Sequence, residues 1–194
     1  MCASAPFMQP LMPAAHPTHL RVTMKKSSAW LGLLGFGAAA AAAGWFGARN
    51  SPRDLRTKLW YQRLDKSPLT PPDYVFPIVW TALYSLIAVS GWRTWLQEDS
   101  PERSRALRLW AAQLATNAEW TRLFFGQHRP KQALLDVLSL EAQIVSYILA
   151  AKEVDTAAAA CFAPYATWVA FATLLNAEIV RRNPNAEELL PRAA

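Results

Sequence analysis

The chain has 194 residues, one domain's worth, with 53 % apolar residues, nine tryptophans and 18 % charged residues, fewer charges than the roughly 25 % of soluble domains. Its net charge of +6 is gathered at the ends of apolar runs, which suits lipid headgroups and argues against a nucleic-acid groove. Cys2 and Cys161 are too few and too far apart for a disulfide framework or metal cluster, and His16 and His19 fall in the N-terminal tail, so no metal site or histidine triad is expected.

Residues 1–27 hold four prolines and no acidic residue, a composition that cannot bury a core, so disorder is expected there. Met24, followed by Lys25 and Lys26, is an alternative start to Met1. A transit peptide would need more arginine and fewer prolines.

Residues 29–48 form a run of 20 without a charge, which at about 1.5 Å per residue spans the roughly 30 Å hydrocarbon core. The rival reading is a cleaved signal peptide, but its apolar region is usually about 7 to 15 residues long. The pairs Ala40/Gly44 and Ala43/Gly47 have the small-xxx-small spacing that permits close helix contact.

Residues 49–74 carry Arg49, Arg53, Arg56, Lys58, Arg63 and Lys66 against Asp54, Asp65 and, near the end, Asp73. Pro68, Pro71 and Pro72 break any helix, so a long loop with helical fragments at most is predicted. A second span follows over 75–96, with Pro77 tolerable in its first turn and Trp92 and Trp95 at an aromatic belt. A polar linker over 97–105 leads to a third span over 106–125. Arg108, Glu119 and Arg122 lower its hydropathy, but Glu119 and Arg122 are three apart and pair on one face near an end. The connection 126–131 contains Pro130. A fourth span over 132–151 includes Asp136 and Glu141, and a fifth over 157–180 has only Glu178 charged. Residues 184–194 read as a polar tail.

These elements predict an all-α fold: a bundle of five transmembrane helices over residues 28–183 with a long loop between helices 1 and 2. A soluble five-helix bundle is the alternative, opposed by the charge-free first run and the fifth span. The bias of Lys and Arg among the loops places the C-terminus in the cytoplasm and the N-terminus outside.

No phosphate-cradling loop, nucleophile elbow, paired catalytic carboxylates or metal spacing is present. Aromatic and amide groups instead gather at one end of several spans. Trp80 and Tyr84 are four apart on the second, Asn117 and Trp120 three apart on the third, and Trp168 and Asn176 eight apart on the fifth, with Ala172 leaving space between them. Several indole faces with a few amides suit a flat, largely apolar ligand. Taken singly, each tryptophan is explained by packing or interfacial anchoring, and helix–helix hydrogen bonding competes equally with ligand binding for Asn117 and Asn176.

The chain resembles the tryptophan-rich sensory protein and translocator protein family, also called the peripheral benzodiazepine receptor family. The matching residues begin with Trp60-Tyr61, Leu64, Lys66, Pro71-Pro72 and Phe76, then Val79-Trp80-Thr81 and Leu83-Tyr84. They continue with Gln113-Leu114, Asn117, Trp120, Phe124-Phe125-Gly126, Pro164-Tyr165, Trp168, Phe171-Ala172-Thr173 and Leu175-Asn176. They run in the family's order over residues 29–183, and the N-terminal extension has no family counterpart. The resemblance implies a homodimer in a lipid bilayer and a pocket closed by the first loop, with Trp60 in the lid. Trp80, Asn117, Trp120, Trp168 and Ala172 would line that pocket, joined by Tyr84 and Asn176. Its ligands would be porphyrins such as protoporphyrin IX or haem, with loop arginines near the propionates and no obligatory cofactor or metal. Trp80 and Trp168 match tryptophans proposed to act in light-dependent porphyrin breakdown, which would make them catalytic. Two departures stand out. Ala177 and Glu178 replace aromatics expected before Arg181 in the animal cholesterol motif, which speaks against cholesterol. Ser67 stands where the family has a loop proline. Low cysteine use points to a bacterial membrane, or the mitochondrial outer membrane in a eukaryote.

Overall fold

The computed structural model describes residues 26–51 and 54–189. The expected disorder of residues 1–27 therefore lies outside the described residues except for its last two, which open the first helix. Among the described residues the fold is all-helical: α1 (Lys26–Arg49), α2 (Leu55–Arg63), α3 (Val75–Trp95), α4 (Pro101–Thr121), α5 (Pro130–Lys152), α6 (Thr156–Cys161) and α7 (Ala163–Arg182). A π-turn over Arg122–Gly126 extends α4, and a 3₁₀ turn over Ala186–Leu189 follows α7.

Helix starts follow local chemistry. Asp54 accepts from the Thr57 backbone N–H at 2.9 Å and caps α2. Ser100 accepts from Arg103 N–H at 3.0 Å, and Pro101 fills the first turn. This cap starts α4 inside the stretch expected to be linker. Pro130 likewise begins α5 slightly ahead of the expected span. Asp155 caps α6 through Ala157 and Ala158 N–H; the helices α6 and α7, separated at Phe162, together form one span, Thr156–Arg182.

Four spans, in α1, α3, α5 and α6–α7, are long and apolar enough to cross a membrane. The fifth long helix, α4, carries Glu102, Arg103, Arg105, Arg108 and Glu119, which accounts for its lower hydropathy. Glu119 and Arg122 pair at its end, as their spacing predicts. The outer surface carries exposed Trp30, Leu31, Leu34, Trp45, Phe46, Leu135, Leu149 and Leu174. Water would disfavour so much exposed apolar surface, whereas acyl chains solvate it. Meanwhile Ser90, Thr94, Gln113, Asn117 and Asn176 are buried. The protein is a multi-pass integral membrane protein.

Inside the bundle α4 packs on α5, α1 on α3 and α4, and α5 on α7. The largest apolar cluster includes Ile87, Ile144, Tyr147, Phe162, Tyr165 and Val169. Close approach of α1, α3 and α4 depends on Gly91, where a Cβ would lie 2.6 Å from the Trp110 indole and 2.7 Å from the Phe36 ring. On α1, a Cβ at Gly44 would stand 2.9 Å from the Tyr84 ring, so the small-residue spacing on this helix serves contact within the chain.

The long loop is more ordered than a string of fragments. Helix α2 lies against the π-turn and the chain after α7, with Trp60 fully buried against Phe124 and His128. Trp60 Nε1 donates to the Ala186 carbonyl at 2.8 Å, and Asn183 exchanges two 2.9 Å hydrogen bonds with the Asp65 backbone. Residues 184–189, expected to be tail, therefore fasten the loop; 190–194 lie outside the described residues.

Candidate functional site

A cavity of about 610 Å³ opens beneath the loop, walled by α1, α3, α4, α5, α7 and the π-turn. From α3 come Phe76, Trp80 and Tyr84; from α4, Asn117 and Trp120; from α7, Trp168, Ala172 and Asn176. Gly44 and Gly47 keep the α1 wall thin. Trp80 lies 5.4 Å from Tyr84, and Trp120 stacks on Phe124 at 5.0 Å with an interplanar angle of 20°. Phe76 meets Trp168 edge-on at 6.0 Å.

Two hydrogen-bonded chains hold these walls in register. Tyr84 Oη donates to Asn117 Oδ1 at 2.6 Å, and Asn117 Nδ2 donates to Tyr165 Oη at 2.8 Å, joining α3, α4 and α7. Trp120 Nε1 donates to Asn176 Oδ1 at 3.1 Å, and Asn176 Nδ2 donates to the Pro130 carbonyl at 3.0 Å. Both asparagine amides thus bridge helices, which satisfies polar groups that hydrocarbon would leave unpaired. The cavity interior therefore offers a ligand chiefly ring faces.

Seven residues singled out from sequence line this cavity together: Trp80, Tyr84, Asn117, Trp120, Trp168, Ala172 and Asn176. Trp60 does not line it. Its ring is buried behind the lid, and the neighbouring Tyr61 takes the cavity side. Phe124 and Phe125 both line the cavity from the π-turn, where Gln127 N–H reaches back five residues to the Arg122 carbonyl at 2.8 Å and widens the backbone. The Phe124-Phe125-Gly126 string was visible in the sequence, but the change in helical register was not.

The loop arginines Arg49, Arg56 and Arg63 are absent from the cavity wall; among the described residues the basic one on it is Lys58, with Gln62, Thr70 and Asp73 nearby on the rim. Lys66 is occupied elsewhere. Its Nζ donates to the Tyr61 and Leu64 carbonyls at 2.8 and 3.3 Å and sits 4.6 Å from the Tyr61 ring centre. Burial lowers the Lys66 pKa, against the opposing fields of Asp73 and Asp65. Burial, then Asp73, raises that of Tyr61, which stays a neutral phenol at physiological pH.

A second, more open groove of about 710 Å³ lies between α3 and α7 and is lined by Ile78, Val79, Leu83, Leu86, Trp168 and Phe171 among others. It is larger, but it is nearly devoid of polar groups and lies open on the outer face, a lining that suits acyl chains. The enclosed cavity, with its convergent polar groups, is the better candidate site.

Comparison with known proteins agrees with this architecture. The TspO/MBR family matches residues 36–182. A tryptophan-rich sensory protein of Cereibacter sphaeroides is 38 % identical over 82 % of this chain and 96 % of its own length. Protein CrtK of Rhodobacter capsulatus is 35 % identical over 75 % of this chain and 89 % of its own. The translocator protein of Bos taurus is 33 % identical over 76 % and 87 %. The matched region begins within α1 and ends with α7, so it includes every helix that walls the cavity, and the chain belongs to the TspO/MBR family.

Proposed function

We propose that the protein binds a tetrapyrrole, porphyrin or haem, or a similarly flat and largely apolar molecule, and acts as a sensor, carrier or scavenger of it. The observation that carries this reading is the cavity of about 610 Å³ walled by the rings of Trp80, Tyr84, Trp120, Phe124 and Trp168. Its volume lies in the usual range for small-molecule sites, roughly 300 to 1,000 Å³. Burial of a macrocycle's faces against indole and phenyl rings supplies the attraction. The names of the relatives, tryptophan-rich sensory protein and translocator protein, support a role in sensing or carrying. Titration with protoporphyrin IX in detergent should quench tryptophan fluorescence saturably. The double variant Trp80→Phe with Trp168→Phe should weaken the affinity by about tenfold or more, equivalent to about 1.4 kcal/mol of lost ring contact. Unchanged quenching in that variant overturns the assignment of the cavity.

A second reading, light-dependent breakdown of the bound porphyrin, is favoured by Trp80 and Trp168 both standing on the cavity wall. Under illumination it requires a new absorbing product that disappears in Trp168→Phe while binding persists. Equal bleaching by free tryptophan leaves binding alone.

A further inference from the structure

The polar character of the cavity is uneven. Its deep polar groups are committed to one another, through Tyr84, Asn117 and Tyr165 on one side and Trp120 and Asn176 on the other. Among the described residues the charged ones on its lining are Lys58 and Asp73, both supplied by the loop that covers it. Lys66, the other basic side chain whose charge Asp73 influences, is anchored on the Tyr61 and Leu64 carbonyls. Neither Lys58 nor Asp73 takes part in the ion pairs found among the described residues, and Lys58 is exposed on α2 at the cavity's edge. Gln62, one turn further along the same helix, adds a neutral amide to the rim.

An ammonium group with three unspent donors at the open end of an aromatic cavity is complementary to an anion carried on the edge of a flat molecule. Its four-carbon stem can follow the apolar body of such a ligand while the charge stays at the water boundary. We propose that Lys58 is the anion-recognising residue of this cavity, so that its preferred occupant is a flat aromatic acid whose ring system is enclosed and whose carboxylate lies at the rim. The proposal rests on the ligand-binding reading above and specifies the chemistry at the ligand's exposed end. It also assigns to Lys58 the task that the sequence suggested for loop arginines, of which Arg49, Arg56 and Arg63 stand off the lining.

The test compares matched acid and ester pairs: protoporphyrin IX with its dimethyl ester, and pyrenebutyric acid with its methyl ester. Each is titrated into the full-length protein in nonionic detergent by tryptophan quenching. Partitioning of a given ligand into micelles cancels when the same ligand is compared between protein variants. The acid-to-ester affinity ratio is expected to fall about three- to tenfold in Lys58→Gln, to be retained in Lys58→Arg, and to fall further in Lys58→Glu. High salt should compress the wild-type ratio in the same direction. Binding of both members of a pair with a ratio insensitive to Lys58→Gln overturns the role of Lys58 and leaves the cavity reading standing. Failure of all four probes to bind overturns the cavity reading and this assignment with it.

Discussion

Asn117 illustrates how a residue on a cavity wall serves structure first. Its carbonyl oxygen receives the Tyr84 hydroxyl, and its amide donates to Tyr165, which is fully buried on α7. Replacing it by alanine strands a hydrogen-bonding group on each of two other helices. Interhelical hydrogen bonds in membranes average about 0.6 kcal/mol and reach about 1.7, so loss of two predicts a destabilisation of about 1–2 kcal/mol. The ligand-free Asn117→Ala protein should therefore show a lower Tm in detergent than the wild type. A residue serving only the ligand would leave the ligand-free Tm untouched. Trp60 carries the same lesson outside the cavity: its indole N–H and ring tie the loop to residues after α7.

At the scale of elements, the lid is a short helix held by the turn after α4 and by the residues after α7. His128 is one of its fasteners, with a left-handed backbone at φ 57°, its Nε2 3.2 Å from Thr57 Oγ1 and its ring edge-on to Trp60 at 4.7 Å. Burial, then the Arg56 guanidinium, lower its pKa from the ordinary 6.5, with Asp54 pulling the other way. A depressed imidazole pKa means the docked lid favours the neutral ring. That contribution is complete above pH 6.5 and is lost as pH falls through the lowered value. Hydrogen exchange of α2 amides, corrected for intrinsic rates, should accordingly lose protection between pH 7.5 and 5, and His128→Gln should flatten this dependence. Packing between elements has its own test at Gly91. A methyl group there meets the rigid Trp110 and Phe36 rings, which predicts a cost of about 1–3 kcal/mol for Gly91→Ala. Gly37→Ala, with no neighbour within 4 Å of the added atom, should keep or raise the Tm, because alanine is the better helix former.

For the whole molecule, the arrangement of apolar surface decides the environment. Large apolar side chains such as Trp30, Trp45 and Leu174 face outward, while Gln113, Asn117 and Asn176 are enclosed. This distribution suits hydrocarbon as the solvent, because lipid leaves exposed leucine unpenalised and penalises unpaired amides. The protein should remain in the membrane pellet after a carbonate wash and enter solution only with detergent; recovery in the wash supernatant would contradict the bilayer assignment.

The sequence by itself determined the number, order and approximate length of the membrane spans, because charge-free length and loop charge are one-dimensional properties. It also brought seven of the cavity residues into view, since residues three, four or eight apart share a helical face. Only the tertiary structure decided that Tyr61 faces the cavity while Trp60 fastens the lid, that both Phe124 and Phe125 reach the wall, and that Lys58 is the basic group at the rim. Those outcomes depend on how α2 docks against the turn after α4 and residues 184–189, and contacts between segments more than a hundred residues apart leave no periodic trace in the chain.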